Sequence, residues 1–312
     1  MTEAVRPTQR VAVVGSSGML GSALTEALLA RGDEVLRLVR RDPDPAPGVG
    51  VTEARWNPER GLFEPGALDG VTAVVNLAGA GLGDRRWTAR YKNTLVESRV
   101  TNTNTLSQTL AQLPSRPRFL SGSAVGAYGS RGDVVLTETS PLGTGFVPDL
   151  VRDWEHATWA AQEAGLSVAH LRSGIVLSRS GGGLARLMPL VKFGLAGKMG
   201  SGQQYWSWIS LPDHVAAMLF LIDRPDITGP VNLTAPEPAP QVEVVKALAE
   251  QLNRPSFVPA PTIALRLALG EMASEILGSQ RVLPEVLTSH GFSYQHPDLA
   301  RAAAWVTGRS GR

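Results

Sequence analysis

Three glycines, Gly15, Gly18 and Gly21, stand at equal spacing in the segment VAVVGSSGMLGSAL, where a β-branched run gives way to a helical pattern. G-x-x-G-x-x-G at a strand-to-helix junction suits the binding of a dinucleotide pyrophosphate. The first glycine allows a sharp turn and the second a close backbone approach. The third lets helix and strand pack, with the phosphates at the helix N-terminus. Ser17, Met19 and Leu20 complete the turn and are counted with the glycines as cofactor contacts. With 33 glycines among 312 residues the triplet alone says little, and its weight comes from the strand before it and the helix after it. At the end of the second expected strand, VLRLV, Arg40 and Arg41 stand where an acidic residue would bind a ribose 2′-hydroxyl. A guanidinium there suits a 2′-phosphate, which points to NADP(H) in preference to NAD(H). The plainer alternative is a pair of solvated surface arginines.

The elements that must position these residues follow from periodicity. Strands are expected at 11–14, 35–39, 73–77, 118–121 and 167–171, with helices at 19–31, 88–113 and 151–164 between them. Strand and helix alternating at these lengths indicate an α/β chain, a doubly wound Rossmann parallel sheet of roughly six strands. Beyond 177 the pattern loosens, with a glycine-rich link at 180–183 and a glycine-rich loop at 194–202. There follow a helix at 212–221, a strand at 231–233, a proline-rich link, and helices at 241–252, 263–277 and 297–306. The expected division is a dinucleotide-binding domain over 9–230, which contributes to a substrate lobe from about 178. The rest of a smaller, mostly helical C-terminal lobe occupies 231–312.

Composition excludes several classes. Without cysteine there are no disulfides, thiolate metal sites or cysteine nucleophiles. The 5 histidines show no paired metal-ligand spacing, so no metal is expected, and Gly-x-Ser-x-Gly does not occur. The net charge of +2 and the absence of a long basic run argue against nucleic acid. No apolar stretch approaches the roughly 20 residues of a membrane span, and residues 1–10 lack the apolar region of a signal peptide. A soluble, cytoplasmic monomer or homodimer with a small-molecule substrate, and no membrane partner, is the expectation.

Several segments together resemble the extended short-chain dehydrogenase/reductase superfamily, of the NAD-dependent epimerase/dehydratase type. They are GSSGMLGSAL, NLAGAGLGDRRWT, SRVTNTNTL, SGSAVGAYGSRG, DWEHATWAAQEAG, LRSGIVLS with GGGL, GSGQQYWSWIS, GPVNLTAPEP and GFSYQHP. Within it the chain is most similar to an atypical subgroup of small epimerase-like proteins, often labelled cell-division inhibitors, with their own C-terminal domain of unknown function, here at about 259–308. The resemblance implies that Leu77, Ala78 and Gly79 pass under the cofactor and that Arg99 and Thr101 lie on the helix facing it. It implies further cofactor contacts from Ser121 and, at the nicotinamide end, from Arg172, Gly174 and Ile175. Ser123 matches the serine that hydrogen-bonds a substrate carbonyl or hydroxyl, and Tyr128, Gln204, Trp208 and Asp213 match positions lining the substrate pocket.

One departure matters for chemistry. Active members use Tyr-x-x-x-Lys, in which lysine lowers the tyrosine pKa for acid/base work. None of the 4 tyrosines here has a lysine four residues on, and the helix that should begin with the dyad reads LVRDWEHA. Glu155 is a candidate substitute, with Arg152 beside it, against the plainer reading of a helix-surface carboxylate; Lys92 is a weaker candidate, read as solvated. Trp206 and Trp208 share one face of an extended stretch and wall a pocket or cap the lobe's core. Trp154 and Trp159 are read as core, and His156 and His170 as ordinary surface or strand residues. The expectation is an NADP(H)-binding epimerase-like oxidoreductase, with a sugar nucleotide among its candidate substrates. The competing reading is a catalytically silent NADP(H)-binding regulator.

Overall fold

The computed structural model of the chain describes residues 7–64, 66–179 and 181–308. Ser180 of the glycine-rich link, residues 1–6 and residues 309–312 of the expected C-terminal lobe lie outside them.

Strand β1 (Arg10–Val14) is buried on both faces and leads through the glycine turn into α1 (Met19–Ala30). β2 (Glu34–Val39), β3 (Val51–Asn57) and the short β4 (Leu62–Phe63) follow, then β5 (Ala73–Asn76). The long α2 (Ala89–Ala111) starts at Thr88, whose side chain caps it by accepting from the Tyr91 N–H at 3.2 Å. β6 (Arg118–Ala124), a one-turn 3-10 helix, β7 (Val135–Leu136), α3 (Phe146–His156), α4 (Trp159–Glu163) and β8 (Val168–Ser173) complete the larger half. Then come β9 (Ile175–Leu177), α5 (Leu184–Lys192), β10 (Tyr205–Trp206), β11 (Trp208–Ser210) and α6 (Leu211–Ile222). β12 (Gly229–Leu233), β13 (Ala239–Pro240), α7 (Gln241–Gln251), α8 (Thr262–Leu269) and α9 (Ala273–Leu277) follow. β14 (Arg281–Val282), α10 (Glu285–Ser289) and α11 (Leu299–Thr307) end the described chain.

The main sheet runs β12-β8-β6-β5-β1-β2-β3-β4, parallel throughout except for the antiparallel β3–β4 pair. From β1 the chain winds one way to β2 and β3 and the other way through β5, β6 and β8, so the switch point lies between β1 and β5. One face packs on α1 and α6 through Val11, Val13, Leu24, Leu28, Met218 and Leu221. The other packs on α2 and α4 through Ala12, Val14, Leu106, Leu110, Phe119 and Ala161. Burial on both faces explains the near-continuous apolar runs of the central strands. A separate core, with Leu187, Val191, Trp208, Val244, Leu248 and Ala303, joins α5, α7 and α11 in the smaller lobe.

The doubly wound fold agrees with the sequence reading, with three local differences. β3 has no counterpart among the expected strands; it carries a half-exposed edge pattern rather than an apolar run. The helix expected at 151–164 is two helices: Pro148 fits the first turn of α3, and the chain turns at Ala157–Thr158, where the Thr158 hydroxyl donates to the Glu155 carbonyl at 2.7 Å. The phase change leaves Trp154 buried but Trp159 54% exposed, so Trp159 is not a core residue. The helix expected at 263–277 is broken by Gly270, whose φ of +64° a helix cannot use.

The boundary expected at 230/231 falls inside β12, which pairs with β8. Leu287, Phe292 and Tyr294 also return from the C-terminal part to the main sheet's core. Among the described residues no helix is long and apolar enough to cross a membrane, and no group of His, Asp and Glu could hold a metal ion.

Candidate functional site

At the switch point the turn after β1 faces the loop after β5 across a groove of about 840 Å³. Its floor and walls come from residues 14–18, Ser22, residues 37–41, Glu53, Trp56 and residues 77–80, with Thr94, Ser98 and Asn102 of α2 opposite. The three glycines have different reasons to be glycine. Gly15 sits at φ +79°, and a Cβ there would lie 2.9 Å from the Leu77 carbonyl carbon. At Gly21 a Cβ would lie 2.2 Å from the Gly15 carbonyl oxygen, so helix and turn could not close. Gly18 is unlike both: its φ is −76°, and an added Cβ would meet only the Gly15 oxygen, at 3.3 Å. A side chain at Gly18 would therefore press on the Gly15 oxygen alone, by a few tenths of an ångström, and the space it would enter is the groove. No side chain caps α1 at Gly18 and no acidic residue occupies its first turn, so the helix presents unpaired N–H groups and a positive dipole end. This is the cradle an anionic pyrophosphate fits.

The opposite wall is held by α2. Asn76 donates to Thr103 at 2.9 Å while its Oδ1 accepts the Ala78 N–H at 3.2 Å, and the Ser98 hydroxyl accepts the Ala80 N–H at 3.0 Å. Arg99 donates to the carbonyls of Ala80 and Leu95 at 2.9 and 3.2 Å and lies over the Trp154 ring. A Cβ on Gly79 would come within 3.1 Å of its guanidinium carbon. Burial pulls the Arg99 pKa down to about 10. Arg99 thus fastens the loop from behind and is not on the groove surface.

At the far end three arginines differ. Arg41 makes a two-pronged pair with Glu53, at 2.7 and 2.8 Å, which holds the Glu53 carboxyl below the usual range. Arg40 is exposed on the rim. Arg37, which sequence reasoning passes over, lines the groove with its Nε buried and without a hydrogen-bond partner. A lone cation in the otherwise apolar strand VLRLV is the signal that could have found it. Ser16, Ser22 and Asn102 also line the groove unannounced by the motif.

Gly15, Ser17, Gly18, Arg40, Arg41, Leu77, Ala78 and Gly79 are brought together on this groove. Met19 and Leu20 begin α1, and the Met19 side chain turns to residues 181 and 182. Ser121 is fully buried in β6, and neither it nor Arg172, Gly174 or Ile175 lies on the groove. Gly174 is a packing glycine, since a Cβ would meet the Ser207 carbonyl at 2.4 Å, and Ile175 packs against the small lobe's core.

A second, buried constellation joins Ser123, Glu155, Arg172, Tyr128 and Asn232. The Ser123 hydroxyl donates to Glu155 at 2.6 Å, and Arg172 donates to both Glu155 oxygens at 2.8 Å. Arg172 also donates to the Tyr128 hydroxyl at 3.0 Å, and that hydroxyl donates to Asn232 at 2.7 Å. Burial pushes the Glu155 carboxyl up, but the hydrogen bonds and charge of Arg172 outweigh it, and the net pKa is lowered. Burial dominates at Tyr128 and raises its pKa. Glu155 is therefore not a surface carboxylate.

Several expected pocket residues are structural. Tyr128 and Trp208 are fully buried and line no pocket surface. Gln204 is spent on the Met199 and Ile276 carbonyls, and Asp213 accepts the N–H groups of Gln295 and His296 at 2.7 and 3.0 Å. Trp206 packs on the lobe's core with Trp208 and donates to the Ile276 carbonyl. Lys92 is not simply solvated: it pairs with Glu271 and lies over the Phe146 ring. Arg152 is paired with Asp149 at the surface, away from the constellation. His156 stacks beside Trp159, while His170 is buried in β8 against Thr158.

Comparison with known proteins agrees with this geometry. Residues 11–233 match the NAD dependent epimerase/dehydratase family, and residues 260–306 match a domain of unknown function, DUF1731. An epimerase family protein of Mycobacterium bovis is 45% identical over 302 residues, covering 96% of this chain and 98% of its own. One from Staphylococcus aureus is 33% identical over 292 residues, covering 93% and 96%. Among solved structures, the human epimerase family protein SDR39U1 with NADPH superposes with a TM-score of 0.85 at 28% identity, covering 96% of this chain and 99% of that one. A nucleoside-diphosphate sugar epimerase from Corynebacterium glutamicum gives 0.78 at 34% identity, covering 96% of this chain and 58% of that one.

Proposed function

We propose that this chain, which belongs to the NAD-dependent epimerase/dehydratase family, is an NADP(H)-dependent oxidoreductase or epimerase acting on a small molecule, with a nucleotide sugar among the candidates. The observation that carries the reading is the groove at the switch point. It offers an uncapped helix N-terminus at one end and, at the other, Arg37 and Arg40 with no free carboxylate, because Glu53 is neutralised by Arg41. Residues 15–18 would hold the pyrophosphate, Arg37 and Arg40 the 2′-phosphate, and residues 77–80 the underside of the cofactor. The human relative crystallised with NADPH supports this choice of cofactor.

Bound NADP(H) would supply hydride transfer to a carbonyl carbon or from the corresponding alcohol carbon. For the protein's own part, Glu155 is held ionised by Arg172 and is a poor proton donor near neutral pH; we assign it a positioning role. It takes the Ser123 proton in a hydrogen bond, which leaves the Ser123 oxygen lone pairs to face a substrate hydroxyl. The missing Tyr-x-x-x-Lys favours a second reading, a regulator that binds NADP(H) without turnover.

Titration of purified protein with NADPH and with NADH, followed by fluorescence, tests the cofactor; NADPH is expected to bind more tightly. A panel of carbonyl compounds followed by absorbance at the nicotinamide band tests net oxidation or reduction, and a panel of sugar nucleotides followed by chromatographic separation of epimers tests epimerisation, which leaves the cofactor unchanged overall. Tight NADPH binding with no turnover across both panels would select the regulator.

A further inference from the structure

The small lobe carries an apolar surface that the fold leaves uncovered. Phe193 and Phe257 are each 78% exposed, with Ile263 at 74%, Leu267 at 72%, Leu195 at 55% and Leu190 at 44%. These residues belong to two stretches that run side by side. Gly194 lies against Pro255, Gly197 against the Val258 backbone, and the Ala260 N–H donates to the Lys198 carbonyl at 2.9 Å. α8 follows directly, and although its sequence TIALRLAL is mostly apolar, none of its residues is buried. Two exposed phenylalanines contribute on the order of 150 Å² each, so with the aliphatics the patch passes the ~400 Å² seen on ordinary monomer surfaces.

Its charge is one-sided. From 184 to 204 and from 251 to 270 the chain contains no Asp or Glu. Lys192, Lys198, Arg254 and Arg266 are exposed within these stretches, and none shows an ion pair among the described residues. Arg186, the remaining base, is turned away toward Gly83 and Asp84. The neighbouring carboxylates are engaged: Glu250 faces Lys246 and Glu271 faces Lys92. A two-fold contact with a second copy would set these bases against each other with no acid between them. Nucleic-acid surfaces rely on stacking aromatics, whereas this one is largely aliphatic. Apolar side chains ringed by unpaired bases match an anionic bilayer surface, where the former enter the headgroup boundary and the latter meet lipid phosphates.

We infer that this face, formed by the loop after α5, the loop before α8 and α8 itself, docks the protein reversibly on anionic lipid membranes. Absence of a spanning segment in the sequence points away from membranes. The patch arises only when two distant stretches are folded together.

The test is co-sedimentation of the full-length protein with vesicles of phosphatidylcholine alone and of phosphatidylcholine mixed with phosphatidylglycerol. Binding is expected to the mixed vesicles at low salt, falling as salt rises, and to be weak on phosphatidylcholine alone. Phe193→Ser/Phe257→Ser should abolish it, and Lys192→Gln/Lys198→Gln should reduce it by roughly five-fold per base removed. NADPH binding, read at a groove that none of these positions lines, should be unchanged in both variants and serves as the check on folding. No partition into anionic vesicles at low salt would overturn the inference. So would equal partition by the two-serine variant, or a dimer in sedimentation velocity that the serine variant dissociates, which would assign the face to a second copy.

Discussion

Glu155→Gln is the sharpest test of the buried constellation. The substitution keeps the size of the side chain and removes its charge, leaving Arg172, whose side chain is 5% exposed, as a cation without a counter-charge. Removing one partner of a buried pair costs ~3–5 kcal/mol, against ~0–1 kcal/mol for a surface pair. At 11% exposure Glu155 takes the buried figure, and because a glutamine oxygen can still accept one of the bonds its low end, ~3 kcal/mol, is expected. At about 2–4 °C per kcal/mol for larger domains, Tm should fall by roughly 6–12 °C. Urea unfolding at neutral pH gives the free energy directly, and Glu155→Gln/Arg172→Met should recover much of it, since removing both charges removes the unpaired one.

The pH dependence follows from the direction of the Glu155 shift. The folded pKa lies below the unfolded value, so the pair contributes in full above about pH 5 and its contribution is lost as pH falls through the folded pKa. The wild-type and Glu155→Gln stability curves should therefore converge in acid. A loss under ~1 kcal/mol at neutral pH, or curves that stay parallel into acid, would refute the argument that Arg172 depends on this carboxylate.

Other expectations concern the groove. Gly18→Ala should fold normally and weaken NADPH binding on the order of tenfold or more, about 1.4 kcal/mol, whereas Gly21→Ala should fail to fold, which circular dichroism will show. Unchanged NADPH affinity in Gly18→Ala would remove the pyrophosphate from this turn. Arg40→Asp should weaken NADPH more than NADH, by about tenfold, the scale of a lost charged hydrogen bond; equal losses would show that Arg40 does not hold the 2′-phosphate. Arg37→Met should act in the same direction, and its failure to do so would leave the buried Nε a purely structural group. Ser123→Ala should lower kcat on any substrate found in either panel while leaving NADPH affinity unchanged; an equal kcat would exclude the serine from the chemistry.

The alternation of strands and helices and the glycine turn are legible in the sequence because both rest on local pattern: an apolar run, a glycine where the backbone must bend, a helical repeat after it. The groove's second wall is less so. That Arg99 fastens the loop after β5 from behind the groove depends on a packing distance no spacing encodes. Tyr128, Gln204, Trp208 and Asp213 match pocket positions by resemblance, yet their polar groups are spent inside the protein or, for Trp208 Nε1, buried without a partner. Glu155 reads as exposed for a related reason. Its partner Arg172 lies on a different strand, and an ion pair between distant residues leaves no periodic trace. Arg37 escapes because it lies inside the strand, ahead of the strand end at which the motif places the ribose-phosphate partner.

The return of the C-terminal part to the main sheet bears on how the protein is made. The Asn232 side chain, which takes the Tyr128 hydroxyl bond, donates to the Leu283 carbonyl, and Leu287 and Tyr294 finish the core beneath β12. Contacts of such long sequence separation form late. A nascent chain leaving the ribosome exposes the flank of β8 until β12 emerges, and β12 itself stays uncovered until Leu283, Leu287 and Tyr294 follow. Truncation between the two family regions would keep β12 on β8 but strip away Leu283, Leu287 and Tyr294 that cover it, so the two regions are expected to fold and be degraded as one unit.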